Sequence, residues 1–167
     1  MHKTKMDKLP TYGFGPLYAL FSLTLTVLCI LYFNEITIFQ VGIINNYFLK
    51  KCFLFISIIS IVMGISLWCY AVFPPKGIRY KLEHGELETE GAYSLSRNPI
   101  YSAIFIFVLG IQMLTYNIFV FFVSLIIYIS LDILIINTEE KWCLEKFEKK
   151  YEKYCSKVNR IIPWIPK

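Results

Sequence analysis

Histidine is nearly absent from this 167-residue chain, which has only His2 and His84, and its five cysteines include no C-x-x-C pair. A structural zinc site or a disulfide framework is therefore not expected. Cys29 and Cys69 fall inside apolar runs, Cys52 at the edge of one, and Cys143 and Cys155 near the carboxy terminus, so they read as small apolar residues. No glycine-rich loop of the soluble cofactor-binding type occurs. Nor is there an aromatic-and-basic nucleic-acid module, so the net charge of +5 points to a membrane surface and not to nucleic acid. Internal repeats and low-complexity linkers are missing too, which makes residues 1–167 a single unit. Charge itself is scarce, at 17% of residues, and absent from long stretches.

Those stretches set the fold class. Gly15 to Phe33 carries no charge over 19 residues, and Cys52 to Phe73 none over 22. About 20 helical residues cross a hydrocarbon core of about 30 Å, so each run fits one pass. Pro99 to Thr138 is longer, with Asp132 as its one charge. As a single helix it would reach about 60 Å, so it reads as two passes, 99–115 and 118–138, folded into a hairpin near Thr115, Tyr116 and Asn117. An open sheet is excluded because lipid cannot satisfy its edge. Ile36 to Leu49 is shorter and holds Gln40, Asn45 and Asn46, which suits an interfacial or re-entrant segment. The expectation is an all-α integral membrane protein of about four spans (15–33, 52–73, 99–115, 118–138), with five as the alternative.

Charge bias favours four. Lys3, Lys5 and Lys8 precede the first span, Lys76, Arg79, Lys81 and Arg97 lie in the loop 74–98, and eight basic residues follow Thr138. Four passes put all three groups on one side, which the positive-inside rule makes cytoplasmic, in the cell membrane. Lys50 and Lys51 fall on the other side on either count, against the rule. The amino terminus shows no small-residue cleavage site after its apolar run and reads as an uncleaved first helix.

Two polar regions remain. Pro74 and Pro75 stop the second span, and Gly77, Gly85 and Gly91 mark turns in the loop, whose Glu83, Glu86, Glu88 and Glu90 read as a solvated face. In the tail 139–167, Leu144, Phe147, Tyr151, Tyr154 and Val158 recur at spacings of 3 and 4, predicting one cytoplasmic amphipathic helix that ends before Pro163 and Pro166. One helical hairpin separates loop from tail, so both emerge on the same side. A site built from the two would open to water above and to lipid at its flank.

The residues at those two places carry a resemblance. Glu90-Gly91-Ala92-Tyr93-Ser94-Leu95-Ser96-Arg97-Asn98-Pro99-Ile100-Tyr101 opens the third span. After the hairpin come Glu139-Glu140, then Leu144, Phe147, Tyr151, Tyr154, Val158, Arg160 and Pro163. From Gly85 onward the chain resembles the isoprenylcysteine carboxyl methyltransferase family and its relatives among phospholipid N-methyltransferases. Their pattern is G-x-Y, R-H-P-x-Y, a hydrophobic hairpin, E-E, and F-G-x-x-Y-x-x-Y leading to a proline.

The resemblance implies an enzyme that uses S-adenosyl-L-methionine to methylate a lipophilic small molecule or lipid-modified substrate, among membrane lipids, at the cytoplasmic face. It implies that Glu139 and Glu140 hold the cofactor's cationic end and that Asn98 stands beside its carboxylate. Tyr93 and Tyr101 are then near the cofactor, and Arg97 is the catalytic arginine, suited to a bidentate grip on an acceptor carboxylate. Glu140→Gln is expected to weaken cofactor binding without unfolding the chain. Three positions depart from the pattern: Asn98 replaces histidine, Glu148 replaces glycine, and Leu134 to Asn137 lacks the basic residue that many members carry before the acidic pair.

Plain structural readings stand beside these. Asn98-Pro99 suits a helix start, with an Asn cap and Pro in the first turn. Arg97, Tyr93 and Tyr101 suit a span edge, and Glu139 and Glu140 suit solvated charges beyond one. Asp132 resists such a reading, because a carboxylate about two turns inside a span is costly unless it faces a cavity or partner, and it is expected to point toward the pocket. An ionised carboxylate acceptor needs only placement, whereas an amine needs a base that the motif's missing histidine does not supply. A phospholipid or other small-lipid N- or S-methyltransferase and a non-enzymatic membrane protein of the same fold are the competing readings.

Overall fold

A computed structural model describes residues 13–33, 35–73 and 86–163. The expectations for the amino-terminal lysines, for Pro74, Pro75, Lys76, Gly77, Arg79, Lys81, Glu83, His84 and Gly85 in the loop, and for Pro166 lie outside the described residues.

Helix α1 (Gly15–Tyr32) starts with a proline in its first turn. Its buried face is Gly15, Tyr18, Ser22, Thr26 and Cys29, while Leu17, Leu20, Phe21 and Leu31 face outward. Small and polar residues inside with large apolar ones outside is the pattern that lipid allows, since hydrocarbon accepts leucine and close helix contact needs small side chains. After a single turn, α2 (Thr37–Gln40), comes α3 (Tyr47–Val72), which buries Ser57, Gly64 and Ala71 at seven-residue intervals. They meet α5 (Pro99–Met113) backbone to backbone. A methyl group on Gly64 would lie 2.9 Å from the Ala103 carbonyl, and one on Gly110 would lie 2.9 Å from the Ser57 carbonyl. On the other side of α5 pack α1 and α6 (Ile118–Asn137), around fully buried Val108, Val120, Ile127, Leu131 and Ile135. The Gln112 side-chain amide donates to Thr26 Oγ1 at 2.9 Å, and the Ser124 hydroxyl donates to the Gln112 amide oxygen, tying α5 to α1 and α6.

Three stretches are long and apolar enough to cross a membrane: Gly15–Tyr32, Tyr47–Val72 and Ile118–Phe147, the last bent at Thr138. Pro99–Met113 is a shorter apolar helix. At about 22 Å it is less than a core thickness, but it is the central helix and is shielded by the others. The protein is an all-α membrane protein, and among the described residues there is no strand, only an isolated bridge between Ile43 and Asn117.

The four helices alternate in direction. At one end Phe14 meets Glu139 and Tyr70 approaches Gly91. At the other, Ile44 N–H donates to the Tyr116 carbonyl (2.8 Å) and Ile118 N–H to that of Gly42 (2.9 Å), docking the α1–α3 connection on the hairpin turn.

Two elements differ from the sequence reading. The expected segment 36–49 is not one unit, because α3 begins at Tyr47, capped by the Asn46 side chain accepting from Leu49 N–H at 3.0 Å. Lys50 and Lys51 lie inside its first turns with their ammonium groups over the rings of Tyr116 (5.8 Å) and Tyr47 (4.5 Å). Cation–π contact and snorkelling explain how this helix end tolerates two charges beside an apolar span. The single tail helix is two, α7 (Glu139–Phe147) and α8 (Lys149–Cys155), broken at Glu148, whose φ of +47° is a left-handed conformation that favours glycine. The break rotates the apolar stripe, so that Tyr151 and Tyr154 are buried while Leu144 is exposed.

Candidate functional site

The α5–α6 hairpin brings its two polar ends together. A short helix, α4 (Ala92–Leu95), follows Gly91, whose φ of +58° is free only to glycine, and delivers Ser96, Arg97 and Asn98 to the start of α5. Thr138 bends the chain out of α6 and delivers Glu139 and Glu140 in the first turn of α7.

Arg97 and Glu140 form the buried heart of this end, at 6% and 7% exposed. Arg97 Nε donates to Glu140 Oε1 at 2.9 Å, and Nη2 donates to the same oxygen. Nη1 donates to the carbonyls of Val158 (2.7 Å) and Cys155 (3.1 Å). The carboxylate that Arg97 grips is thus the chain's own. The second oxygen of Glu140 lies 2.9 Å from Arg160 Nε, an ion pair in which Nε makes no hydrogen bond. Arg160 Nη1 in turn donates to Asp132 at 2.7 Å.

The result is a chain of alternating charges, Arg97–Glu140–Arg160–Asp132. Its side chains are progressively more open, at 3%, 9%, 28% and 32% exposed. Burying such charges is costly, and removing any inner member strands its neighbour. Asp132, expected to face the pocket, faces Arg160 at the network's outer edge.

Glu139 has a different environment. It is half-buried, and its Oε1 accepts the Phe14 N–H at 3.0 Å and the Tyr101 hydroxyl. Its Oε2 has no partner among the described residues. Gly13 lies directly over Oε1: an added Cβ would sit 2.0 Å away, and φ is +50°, so space and backbone both require glycine. The Phe14 ring stacks on Trp142, with centroids 5.8 Å apart.

Asn98 occupies the N-cap position of α5, yet its side chain caps nothing. Its Nδ2 donates to the Arg160 carbonyl at 3.1 Å, alongside its own N–H at 3.2 Å and Ser96 Oγ at 3.0 Å. Arg97 N–H donates to the Asn159 carbonyl (2.8 Å) and the Ser102 hydroxyl to that of Ile161. Residues 158–161 are thereby zipped onto 96–102. Tyr93 is half-buried, and its carbonyl accepts the Tyr154 hydroxyl. Burial, and then the Glu139 charge, push the Tyr93 phenol well above the ordinary tyrosine range, so it stays a neutral donor.

The sequence-expected residues therefore divide. Tyr93, Tyr101 and Glu139 gather around one carboxylate with spare acceptor capacity, Arg97 and Glu140 lock each other, and Asn98 holds the tail. Sequence reasoning gave no role to Arg160, Gly13, Phe14, Ser96 or Ser102. Arg160 had a signal, as a lone cation among Val158, Ile161 and Ile162. Gly13 and Phe14 had none. Chemically, this end offers an acceptor for a cation, aromatic rings around it, and a guanidinium at a half-open edge. Its strength is placing charged groups rather than shuttling protons.

A family model described as phospholipid methyltransferase matches residues 51–150, which is 100 of the 167 residues. That match begins well before Gly85, where the motif resemblance starts. The protein-S-isoprenylcysteine O-methyltransferase of Schizosaccharomyces pombe is 40% identical over 85 residues, 48% of this chain and 34% of that protein. The chain thus matches about a third of the length of this curated relative. No solved structure matches it significantly.

Proposed function

The chain belongs to the phospholipid methyltransferase family, and from that premise we propose that it transfers a methyl group from S-adenosyl-L-methionine to a lipophilic acceptor at the cytoplasmic face of the cell membrane. The acceptor group is a carboxylate of the isoprenylcysteine type. The observation that carries this reading is the meeting of the Arg97 motif with both glutamates at one end of the α5–α6 hairpin, through Arg97–Glu140 and Tyr101–Glu139.

The residues present suit the cofactor. It is a cation at its ammonium and sulfonium, and Glu139 offers a carboxylate oxygen with no partner among the described residues, amid Tyr93, Tyr101, Phe14 and Trp142. Aromatic faces stabilise a cation without hydrogen-bonding it. Glu139, with Tyr93 and Tyr101, holds the cationic end. Glu140, gripped by Arg97 on one oxygen and ion-paired with Arg160 on the other, acts with Arg97 as a clamp that fixes the first turn of α7. Asn98 holds the tail through the Arg160 carbonyl, and its Oδ1, without a partner among the described residues, is an acceptor, not a base. When bound, the cofactor supplies an electrophilic methyl on positively charged sulfur.

The chain's own contribution is placement and dryness. Tyr101, Tyr151 and Tyr154 are buried around the site and exclude water, which strengthens the attraction between an anionic acceptor and a cation. A carboxylate, with an ordinary pKa of about 4, arrives ionised and needs no base. An amine needs one, and in this reading Glu140 and Asp132 are paired with arginines while Glu139, whose Oε2 has no partner among the described residues, holds the cofactor's cationic end. The S. pombe relative's name points to the same acceptor class. The basic residues of the tail favour a cytoplasmic site.

Phospholipid N-methylation is the second reading, favoured by the description of the family model. Methyl-labelled cofactor separates the two when supplied to the purified chain with S-farnesylcysteine or phosphatidylethanolamine. Ester label leaves as methanol in mild alkali, whereas N-methyl label stays. The expected result is alkali-labile label on the prenylcysteine. Absence of label from every lipid extract would overturn the enzyme reading.

A further inference from the structure

Resting on that reading, we propose that Arg160 receives the anionic head group of the lipophilic acceptor, and that Asp132 is a tethered carboxylate holding that position until the acceptor arrives.

The placement of Arg160 carries the proposal. Its Nη1 donates to Asp132 at 2.7 Å and its Nε lies 2.9 Å from a Glu140 oxygen as an ion pair without making a hydrogen bond, while Nη2 makes no hydrogen bond to any described residue. Arg97 has no such free edge: its Nε and Nη2 meet Glu140 and its Nη1 meets two carbonyls, in a side chain only 3% exposed. Of the two arginines at this end, Arg160 is therefore the one with capacity for an incoming anion.

Its surroundings specify an amphiphile. Asp132 lies on α6 between exposed Ile129, Ile133 and Ile136, and Ile162, two residues beyond Arg160, is exposed as well. At positions i−3, i+1 and i+4 from Asp132, the three isoleucines make an apolar, outward-facing track that ends at an ion pair. A ligand with a hydrocarbon tail and an anionic head matches both features at once. Carboxylate and phosphate heads share this chemistry, and the bilayer could supply the second.

Charge balance explains why Asp132 is there. The Arg160 side chain is 28% exposed near the edge of the apolar layer, and an unpaired guanidinium at that depth is costly. Asp132 neutralises it in the resting protein. The same carboxylate competes with the acceptor and so lowers its apparent affinity, a penalty that its neutral amide would reduce.

The test uses the full chain in zwitterionic nanodiscs, with N-acetyl-S-farnesylcysteine and its neutral carboxamide as probes and binding read by calorimetry without cofactor. Wild type should prefer the acid over the amide by about tenfold or more. Asp132→Asn should tighten acid binding about three- to tenfold and leave the amide unchanged. Arg160→Gln should erase the preference, with Arg160→Lys restoring part of it. Should Arg160→Gln fail to fold, the acid–amide ratio and Asp132→Asn still decide the matter. Competition by added phosphatidylglycerol would support the site and name phosphate as a second source of the anion. Equal binding of acid and amide without such competition, or weaker acid binding in Asp132→Asn, would overturn the proposal. S-adenosylhomocysteine binding, measured separately, reports on the methyltransferase reading, so the two can fail independently.

Discussion

The two ends of the helical bundle are built by opposite means. At the hairpin turn, Asn117 caps α6 by accepting Phe119 N–H at 2.9 Å and donates to the Phe39 carbonyl at 3.1 Å, while Phe39 packs against Phe33 and Phe119. Its cations, Lys50 and Lys51, rest on aromatic rings. The opposite end draws residues 13–14, 96–102, 132, 139–140 and 154–161 into a network of charges and buried hydroxyls. Satisfied caps and rings make an anchor. Charges buried at cost, with Glu139 Oε2 and Arg160 Nε and Nη2 left without hydrogen-bond partners among the described residues, make a place for a ligand. The contrast is one of residual hydrogen-bonding capacity.

Substitutions sharpen this contrast, and the largest effect is expected at Glu140. The sequence alone suggests that Glu140→Gln spares folding, but a carboxylate serving two guanidiniums cannot be neutralised cheaply. The variant should lose about 3 kcal/mol or more in SDS or thermal unfolding in detergent. A loss below about 1 kcal/mol would show that the clamp is not structural. Next comes Gly13→Ala, where the new methyl meets Glu139 and the left-handed backbone adds about 1–2 kcal/mol of strain. It should lower both melting temperature and S-adenosylhomocysteine affinity, and an unchanged affinity would separate Gly13 from the site.

Asn117→Ala tests the anchor end. Loss of the cap should cost about 1 kcal/mol in the same unfolding measurement and leave cofactor affinity where it was. A drop in affinity would mean that the two ends are coupled through α5. The smallest change is a gain: Glu148→Gly should relieve the positive-φ strain and stabilise the chain by up to about 1 kcal/mol. Destabilisation would show that the Glu148 side chain has a role that its backbone conformation conceals.

Much of this was legible in the residues. Uncharged runs announced the helices because lipid tolerates no unpaired charge, and Thr115 to Asn117 announced the turn. The boundary of α3 was not legible, because Lys50 and Lys51 look like an end of a span until Tyr47 and Tyr116 are seen to carry them. Glu148 hid the break between α7 and α8, since a glutamate carries no signal of the left-handed backbone that glycine would have advertised. Arg97, Tyr101 and the glutamates were visible as a motif, but not who held whom. Arg160 reaches Glu140 only because residues 158–161 fold back onto 96–102, a contact between segments about sixty residues apart that no local pattern encodes.

The most direct test of a cofactor site at the joined end is calorimetric titration of S-adenosylhomocysteine into the detergent-purified chain and its Glu139→Gln variant. The wild type should bind saturably at one site. The variant, which keeps an oxygen for Phe14 N–H and the Tyr101 hydroxyl, should melt close to wild type and bind at least about tenfold more weakly, as loss of a charge-assisted hydrogen bond requires. Absence of saturable binding in the wild type, or equal affinity in the two proteins, would contradict it.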